Sequence, residues 1–144
     1  ALWEQRGWRD LPRIEVDELG KPFFPDHPDI HFSLSHTAGA AAAALADTPV
    51  GVDIERVRTV SVRAMERIAG VRTEAAFFRS WVRREARVKR TGSGIVTMMR
   101  TEAPLNRGEF YYEVDAFHGY AAGVAAGQPE PPQPVHRLML DQLL

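Results

Sequence analysis

The sequence predicts an α+β domain in which a long helix packs across an antiparallel sheet. Short runs of alternating or β-branched residues, the pattern of strands, occur both before and after a helical region. Within that region, apolar residues from about Thr73 to Arg90 recur at helical spacing. We therefore predict one domain that covers residues 1–144, with the Thr73–Arg90 helix on the sheet.

Composition limits the classes of protein to consider. The chain has 144 residues, 44% of them hydrophobic, and a formal net charge of −1, which is typical of a soluble globular domain and does not support nucleic-acid binding. The absence of cysteine excludes disulfides, thiolate metal sites and a cysteine nucleophile. No apolar run is long enough to span a bilayer, and no signal-peptide pattern opens the chain, so we expect a cytoplasmic protein without a membrane partner.

The first 25 residues predict the end of a helix followed by short extended segments. Residues 1–13 are expected to end a helix near Gly7 or Pro12. Residues 14–16 alternate in polarity and predict a strand, and two prolines keep residues 21–25 out of a helix.

The next strand is predicted to end at His36. Its alternation places Phe32 and Leu34 toward the core, with Ser33 and Ser35 on the opposite face. A histidine at a strand end is more often a structural residue than a ligand.

The alanine run of residues 40–46 has high helix propensity but is short. Gly39 precedes it and the turn residues 47–49 follow it. We interpret the run as a central strand made of small residues, which forms a hairpin with the strand that begins at Val50.

The stretch Val50–Glu55 is rich in β-branched residues and predicts a short strand. One face carries three core residues, and the other carries Gly51, Asp53 and Glu55. Like charges at i and i+2 repel each other unless a positive charge lies between them, and oxygen ligands suit Mg²⁺. The alternative is a pair of solvated carboxylates at an exposed strand end.

Two helices follow, one from a Ser61 cap to Gly70 and one from a Thr73 cap to about Arg90. The apolar stripe of the second helix consists of Phe77, Phe78, Trp81 and Val88. Glu85 falls on this stripe, where a carboxylate is costly unless it is paired or bound to metal. Lys89 lies one turn further on, so the alternative is a simple Glu85–Lys89 pair with the nearby arginines in solvent.

The C-terminal part predicts two more strands, at residues 110–114 and 120–125. Residues 129–134 are rich in proline and predict an extended spacer. The leucine-rich residues 135–144 are predicted to dock on the domain.

Four blocks of the chain, taken in order, resemble the Sfp-type (surfactin-synthetase-activating) branch of the 4′-phosphopantetheinyl transferase superfamily. They are Gly20–Pro22, Phe32–Thr37, Gly51–Glu55 and Trp81–Lys89. The segment Gly119–Val124 is also similar to that family.

The resemblance implies a 4′-phosphopantetheinyl transferase-like fold and activity. Such enzymes use Mg²⁺ and transfer the 4′-phosphopantetheine arm of coenzyme A to a serine of an acyl or peptidyl carrier protein, releasing 3′,5′-ADP. They serve fatty acid, polyketide and nonribosomal peptide biosynthesis. The implied metal ligands are Asp53, Glu55 and Glu85, and the implied catalytic residues are Asp53, Glu85 and Lys89. The implied coenzyme A contacts are Lys21, Pro22, Ser35, His36, Arg84 and Lys89.

The chain also departs from that family. It starts with Ala1 rather than methionine, inside the first of two similar halves, and the stretch between Glu55 and Trp81 is short. Val82 stands where the family has a small hydroxyl residue. Three explanations compete: a fragment or integrated domain of a larger synthase, a compact homo-oligomer with shared sites, or a weakly active relic.

Two other functions remain open at this stage. One is a non-catalytic module that binds carrier proteins or coenzyme A within a larger synthase. The other is an unrelated metal-dependent phosphohydrolase. A buried Glu85 argues against a pure docking module, and a phosphohydrolase would need no carrier protein.

Overall fold

The computed structural model describes residues 6–92 and 101–143 and combines helices with antiparallel strands. The predicted N-terminal helix therefore lies largely outside the described residues, as does Leu144. The strands are β1 (Glu15–Val16), β2 (Pro22–Phe23), β3 (His31–Thr37), β4 (Ala40–Ala46), β5 (Gly51–Arg56), β6 (Phe110–Val114) and β7 (Tyr120–Ala126). The helices are α1 (Val62–Ala69), α2 (Glu74–Thr91) and α3 (Leu140–Leu143).

All strand pairs are antiparallel, as predicted. β1 pairs with β2, β3 pairs with β4, and a three-stranded sheet has the order β5-β7-β6. Helix α2 packs across β5 and β7. The predicted combination of an antiparallel sheet and one long helix packed on it is confirmed.

Both helix boundaries predicted from capping residues are also confirmed. The Ser61 side chain accepts a hydrogen bond from the Ala64 backbone at the start of α1, and the Thr73 side chain does the same for Ala76 in α2. Gly70 ends α1 in the left-handed conformation, with a φ of 66°. These signals are local in sequence, which is why the sequence sufficed to locate them.

The pairing predicted for the alanine strand is wrong. Residues 40–46 do form a strand, but β4 pairs with β3 in the register Thr37↔Ala40, not with β5. Gly39 has a φ of 78°, so the two residues Ala38 and Gly39 reverse the chain tightly between β3 and β4. The strand is therefore one half of a two-stranded sheet rather than a central strand.

The facing predicted for β3 is also partly wrong. Phe32 is buried against Phe24, but Leu34 is 56% exposed. Ser33 and Ser35 are buried instead. Their face lies against β5, where the two hydroxyl groups accept hydrogen bonds from backbone N–H groups of that strand.

A close approach between α2 and β5 fixes the position of the helix. A Cβ atom on Gly51 would collide with the Ala86 carbonyl oxygen and with the Arg90 backbone nitrogen. Since the obstruction is helix backbone, only glycine fits there. This contact places α2 directly beside the acidic residues of β5.

The C-terminal strands agree with the prediction, but in the tail the large apolar side chains described between residues 135 and 140 remain exposed. Leu138 and Leu140 are exposed, and Arg137 donates a hydrogen bond to the Asp115 carbonyl. Among the helices of residues 6–92 and 101–143, none combines the length and the apolar character needed to cross a membrane.

Candidate active site

Asp53, on β5, is the most buried acidic residue of the predicted site. Its side chain is 5% exposed. Its Oδ1 atom accepts hydrogen bonds from Lys89 Nζ and from Ser35 Oγ, both at 2.8 Å. Its Oδ2 atom is buried and has no hydrogen-bond partner among the described residues. One oxygen of this carboxylate is therefore held by two donors, whereas the described part of the chain offers none to the other.

The surroundings of Asp53 make its ionised form costly. Burial raises the pKa of Asp53 above its ordinary value, and the hydrogen bonds from Lys89 and Ser35 only partly oppose this. The negative charge of Glu55 raises the pKa of Asp53 further. A cation bound at Oδ2 would lower the cost of keeping this carboxylate charged.

Glu55 lies two residues along β5, on the same face as Asp53. Its Oε2 atom accepts hydrogen bonds from Thr37 Oγ1 at 3.1 Å and from Arg58 Nη1 at 2.9 Å. The Arg58 guanidinium also lies 4.7 Å from the centre of the Phe78 ring. As at Asp53, both hydrogen bonds found in the described chain converge on a single carboxylate oxygen.

Glu85 lies half-buried on the part of α2 that faces these acids. Burial raises the pKa of Glu85, and the charges of Asp53 and Glu55 raise it further, while Lys89 opposes the shift. Glu85 is thus close enough to interact electrostatically with both strand carboxylates. Residues distant in the sequence lie near one another here because α2 packs on β5.

The alternative of a simple helix-surface pair is not what the structure contains. Lys89 forms its ion pair with Asp53 on the neighbouring strand. Arg84 and Arg87 are buried rather than solvated, at 5% and 2% exposed.

Lys21 lies where β5 begins and α2 ends. Its Nζ atom donates hydrogen bonds to the carbonyl oxygens of Val50, Lys89 and Arg90. Burial lowers the pKa of Lys21, with Asp17 opposing and Arg90 adding to this shift. Lys21 thus joins the β1–β2 hairpin to the helix and strand that contain the site residues.

The remaining predicted coenzyme contacts have different surroundings. Pro22 is half-buried in β2, Ser35 is buried in β3, and His36 is exposed near the end of β3. Arg84 donates a hydrogen bond to the Ile68 carbonyl at 2.9 Å, and its Nε atom lies 3.6 Å from Glu102. The assignment of these residues to coenzyme A therefore stays a prediction.

The arrangement of acids fits a magnesium site completed by substrate better than a site made by protein alone. Over the described ranges, no group of three or more His, Cys, Asp or Glu side chains is arranged to hold a metal ion. Mg²⁺, however, usually takes one or two carboxylates, with waters and substrate phosphate oxygens as its other ligands. The buried Asp53 Oδ2 atom, which has no partner within residues 6–92 and 101–143, is the feature that fits such an ion. The predicted set of Asp53, Glu55 and Glu85 stays a prediction.

Sequence reasoning gave no role to two residues that border the acids. Thr37 donates to Glu55, and the Tyr111 hydroxyl lies over Gly123, which pairs with Asp53 in the sheet register. Burial raises the pKa of Tyr111, and the charge of Asp53 adds to this. The alternation of Ser33, Ser35 and Thr37 along one strand was the available signal for Thr37. No sequence signal pointed to Tyr111.

A cavity of about 510 Å³ lies near Tyr111. It is lined by Arg83, Arg87, Glu102 and Tyr111, together with residues 103–105. Arg83 and Arg87 are paired with Glu102 and Glu109. None of the three predicted metal ligands lines this cavity.

Known proteins with similar sequences are named as 4′-phosphopantetheinyl transferases, although no protein-family model matches the chain. The 4′-phosphopantetheinyl transferase Sfp of Bacillus subtilis is 27% identical over 92% of this chain and 70% of its own length. The transferase psf-1 of Bacillus pumilus is 36% identical over 57% of this chain and 40% of its own length. The transferase AcpT of Salmonella typhi is 32% identical over 69% of this chain and 60% of its own length.

These similarities cover between 57% and 92% of this chain. The chain matches between 40% and 70% of the length of these three relatives. The predicted resemblance is therefore confirmed, and the chain is a relative of the Sfp-type 4′-phosphopantetheinyl transferases, a family of enzymes.

Proposed function

We propose that this chain transfers the 4′-phosphopantetheine arm of coenzyme A to a serine of an acyl or peptidyl carrier protein, with Mg²⁺ and with release of 3′,5′-ADP. The observation that best supports this is the Asp53 carboxylate, held at Oδ1 by Lys89 and Ser35 and, within the described residues, without a hydrogen-bond partner at the buried Oδ2. The proposal includes a 4′-phosphopantetheinyl transferase-like fold for a single domain of residues 1–144, and a cytoplasmic location.

The reaction exchanges one phosphorus–oxygen bond for another. The serine oxygen of the carrier attacks the phosphorus that bears the pantetheine arm, and the bond from that phosphorus to the bridging oxygen of the pyrophosphate breaks. Negative charge grows on the phosphoryl oxygens and on the departing 3′,5′-ADP. When bound, Mg²⁺ neutralises charge on the pyrophosphate. Asp53 and Glu55 would hold that ion, with Glu85 as the third ligand.

Two residues of α2 would act on the reacting groups. The Lys89 ammonium, next to Asp53, supplies a positive charge close to the transferred phosphoryl group. Glu85 takes the serine proton, directly or through a water. Its raised pKa favours this, because a general base works best when its pKa lies nearer the working pH. Lys21, Pro22, Ser35, His36 and Arg84 are the proposed contacts of the coenzyme.

The test is the intact mass of an apo carrier protein after incubation with the chain, coenzyme A and Mg²⁺. We expect the carrier to gain the mass of one phosphopantetheine arm, and to gain nothing when Mg²⁺ is chelated. A carrier whose mass stays unchanged with Mg²⁺ present would contradict the transfer. Consumption of coenzyme A without a carrier would instead indicate a phosphohydrolase.

A non-catalytic module that binds carrier proteins or coenzyme A is the second candidate. Two observations favour it. In the described part of the chain the acids do not form a three-ligand group, and the Lys89 ammonium already pairs with Asp53. An unchanged carrier mass together with measurable binding of coenzyme A or carrier to the chain would support this candidate.

We also propose that a neighbouring subunit or a further segment completes the coenzyme pocket. Size-exclusion chromatography of the active sample tests this. A monomer of this chain that still transfers the arm would remove the need for such a contribution.

A further inference from the structure

A row of three hydroxyl groups joins β3 to β5 without a backbone ladder between the two strands. The hydroxyl oxygens of Ser33, Ser35 and Thr37 accept hydrogen bonds from the backbone N–H groups of Val52, Ile54 and Arg56, at 3.0, 3.2 and 3.3 Å. Because side chains alternate along a strand, residues i, i+2 and i+4 of β3 all face β5. The row therefore fixes the two strands relative to each other.

Two of these hydroxyl groups have a second partner. Ser35 Oγ donates to Asp53 Oδ1 at 2.8 Å, and Thr37 Oγ1 donates to Glu55 Oε2 at 3.1 Å. A hydroxyl group has a single hydrogen, so each of these two groups uses its only donor in the hydrogen bond to the carboxylate. The Ser35 hydroxyl thus links the Asp53 carboxylate to the N–H group of Ile54. The Thr37 hydroxyl links the Glu55 carboxylate to the N–H group of Arg56 in the same way.

Both carboxylates are consequently held in the same way. The second donor to Asp53, Lys89, also bonds Oδ1, and the second donor to Glu55, Arg58, also bonds Oε2. The other oxygen of Asp53 is buried without a partner in the described chain. Two donors on one oxygen fix the orientation of the carboxylate and leave its second oxygen for a cation.

We propose that Ser35 and Thr37 are positioning residues, whose hydroxyl groups hold Asp53 and Glu55 in the orientation that receives a divalent cation. The inference rests on the proposed function, and it gives Ser35 a role distinct from contact with the coenzyme. Partners that orient metal-binding side chains typically change metal affinity or activity by about 10- to 100-fold when they are removed.

Ser33 provides a matched control on the same strand. Its hydroxyl accepts from Val52 N at 3.0 Å as the other two accept from β5, but among the described contacts it has no carboxylate partner. Ser33→Ala therefore removes a buried hydrogen bond to β5 without freeing an acid. Ser35→Ala and Thr37→Val remove a similar hydrogen bond to β5, and they also remove the hydrogen bond to the carboxylate of Asp53 or Glu55, respectively.

The experiment titrates the purified chain with Mn²⁺, followed by electron paramagnetic resonance, with and without coenzyme A, and records thermal unfolding of each variant. We expect Ser35→Ala and Thr37→Val each to weaken Mn²⁺ binding about tenfold. Thr37→Ser, which keeps the hydroxyl, should retain wild-type affinity. Ser33→Ala should lower the melting temperature but keep the Mn²⁺ affinity.

The possible results separate this inference from the proposed function. Equal Mn²⁺ affinity in wild type, Ser35→Ala and Thr37→Val would overturn the positioning role, while arm transfer by wild type would still support the function. Equal loss of Mn²⁺ affinity in Ser33→Ala, Ser35→Ala and Thr37→Val would also overturn the positioning role, since the effect would then come from the packing of β3 on β5. A wild-type chain that binds no Mn²⁺ and transfers no arm would overturn both proposals.

Discussion

Lys89 Nζ lies 2.8 Å from Asp53 Oδ1, so one ion pair connects helix α2 to strand β5 at the centre of the acidic site. The Asp53 side chain is 5% exposed and that of Lys89 is 31% exposed. The carboxylate is thus nearly removed from water, while its partner remains accessible. Such a pair costs most when the accessible partner is removed, because the buried charge is then left uncompensated.

We therefore expect Lys89→Ala to lower the free energy of unfolding by about 1–3 kcal/mol at neutral pH. Adding Asp53→Asn should restore part of this loss, since a neutral amide needs no cation. Urea unfolding of the two single variants and the double variant measures the coupling. Additive losses would show that the two side chains do not stabilise each other.

Glu85→Gln should abolish most of the transfer without destabilising the chain. Removing a general base typically costs about 100-fold or more in rate. Because burial and the nearby acids raise the pKa of Glu85, its charged form is unfavourable in the folded state, and the neutral amide should keep or raise the melting temperature. Carrier mass and thermal unfolding measure the two effects.

Glu113→Gln is the control for Glu85→Gln, since Glu113 is exposed on β6 and pairs with Arg79. It should transfer the arm at the wild-type rate. Wild-type transfer by Glu85→Gln, or by Asp53→Ala, would contradict the roles proposed for these acids.

Gly51→Ala should destabilise the chain by about 1–3 kcal/mol, because a methyl group at this position collides with the backbone of α2 at Ala86 and Arg90. At Gly123 the obstruction is the Tyr111 side chain instead. Tyr111→Leu should therefore reduce the destabilisation caused by Gly123→Ala but leave the destabilisation caused by Gly51→Ala unchanged. Urea unfolding checks both, and a Gly51→Ala chain as stable as wild type would contradict the close packing of α2 on β5.

Acid should destabilise the folded chain partly by protonating the Glu109 carboxylate. Burial favours protonation of this carboxyl, but hydrogen bonds from Arg87 and Asn106 outweigh burial and lower the pKa of Glu109 below its ordinary value of 4.5. A lowered folded-state pKa adds stability above pH 4.5, which is lost as the pH falls through the folded-state value. Arg87 and Glu109 form a buried ion pair at 2.6 Å, so this loss weakens the contact between α2 and the residues before β6.

Glu109→Gln tests this pH dependence. The variant should be less stable than wild type at neutral pH, because Arg87 loses its buried partner, but its stability should fall less steeply below pH 4.5. Urea unfolding at several pH values gives both quantities. Glu66→Gln, which removes an exposed pair with Arg72, is the control and should keep the wild-type pH dependence. Identical slopes for wild type and Glu109→Gln would argue against the assignment.

The elements of this fold were predictable where their signals are local. Ser61 and Thr73 cap their helices as predicted, because a cap needs only the N–H groups of the next few residues. The partner of the alanine strand was predicted wrongly, since β4 fits several neighbours by length and composition. The turn at Gly39 selects β3.

In the candidate site too, the local pattern along a strand was predictable, but the contacts between distant segments were not. Alternation along β3 correctly placed Ser33 and Ser35 on one face and Phe32 and Leu34 on the other, but it failed to predict that the serine face is buried and that Leu34 is exposed. The assumption was that apolar side chains face inward. Here the serine face is buried because its hydroxyl groups bond to β5, and a buried polar group is stable when its hydrogen bonds are satisfied.

The sequence by itself determined which chemical groups are present: two acids on one face of β5, an acid and a lysine one turn apart on α2, and alternating hydroxyl groups on β3. Only the tertiary structure decided that Lys89 pairs with Asp53, that one oxygen of each strand acid is held, and that Asp53 Oδ2 has no partner in the part of the chain that the structure describes. The physical reason is that spacing along the chain fixes the face on which a side chain lies, whereas a hydrogen bond between distant segments depends on how those segments pack.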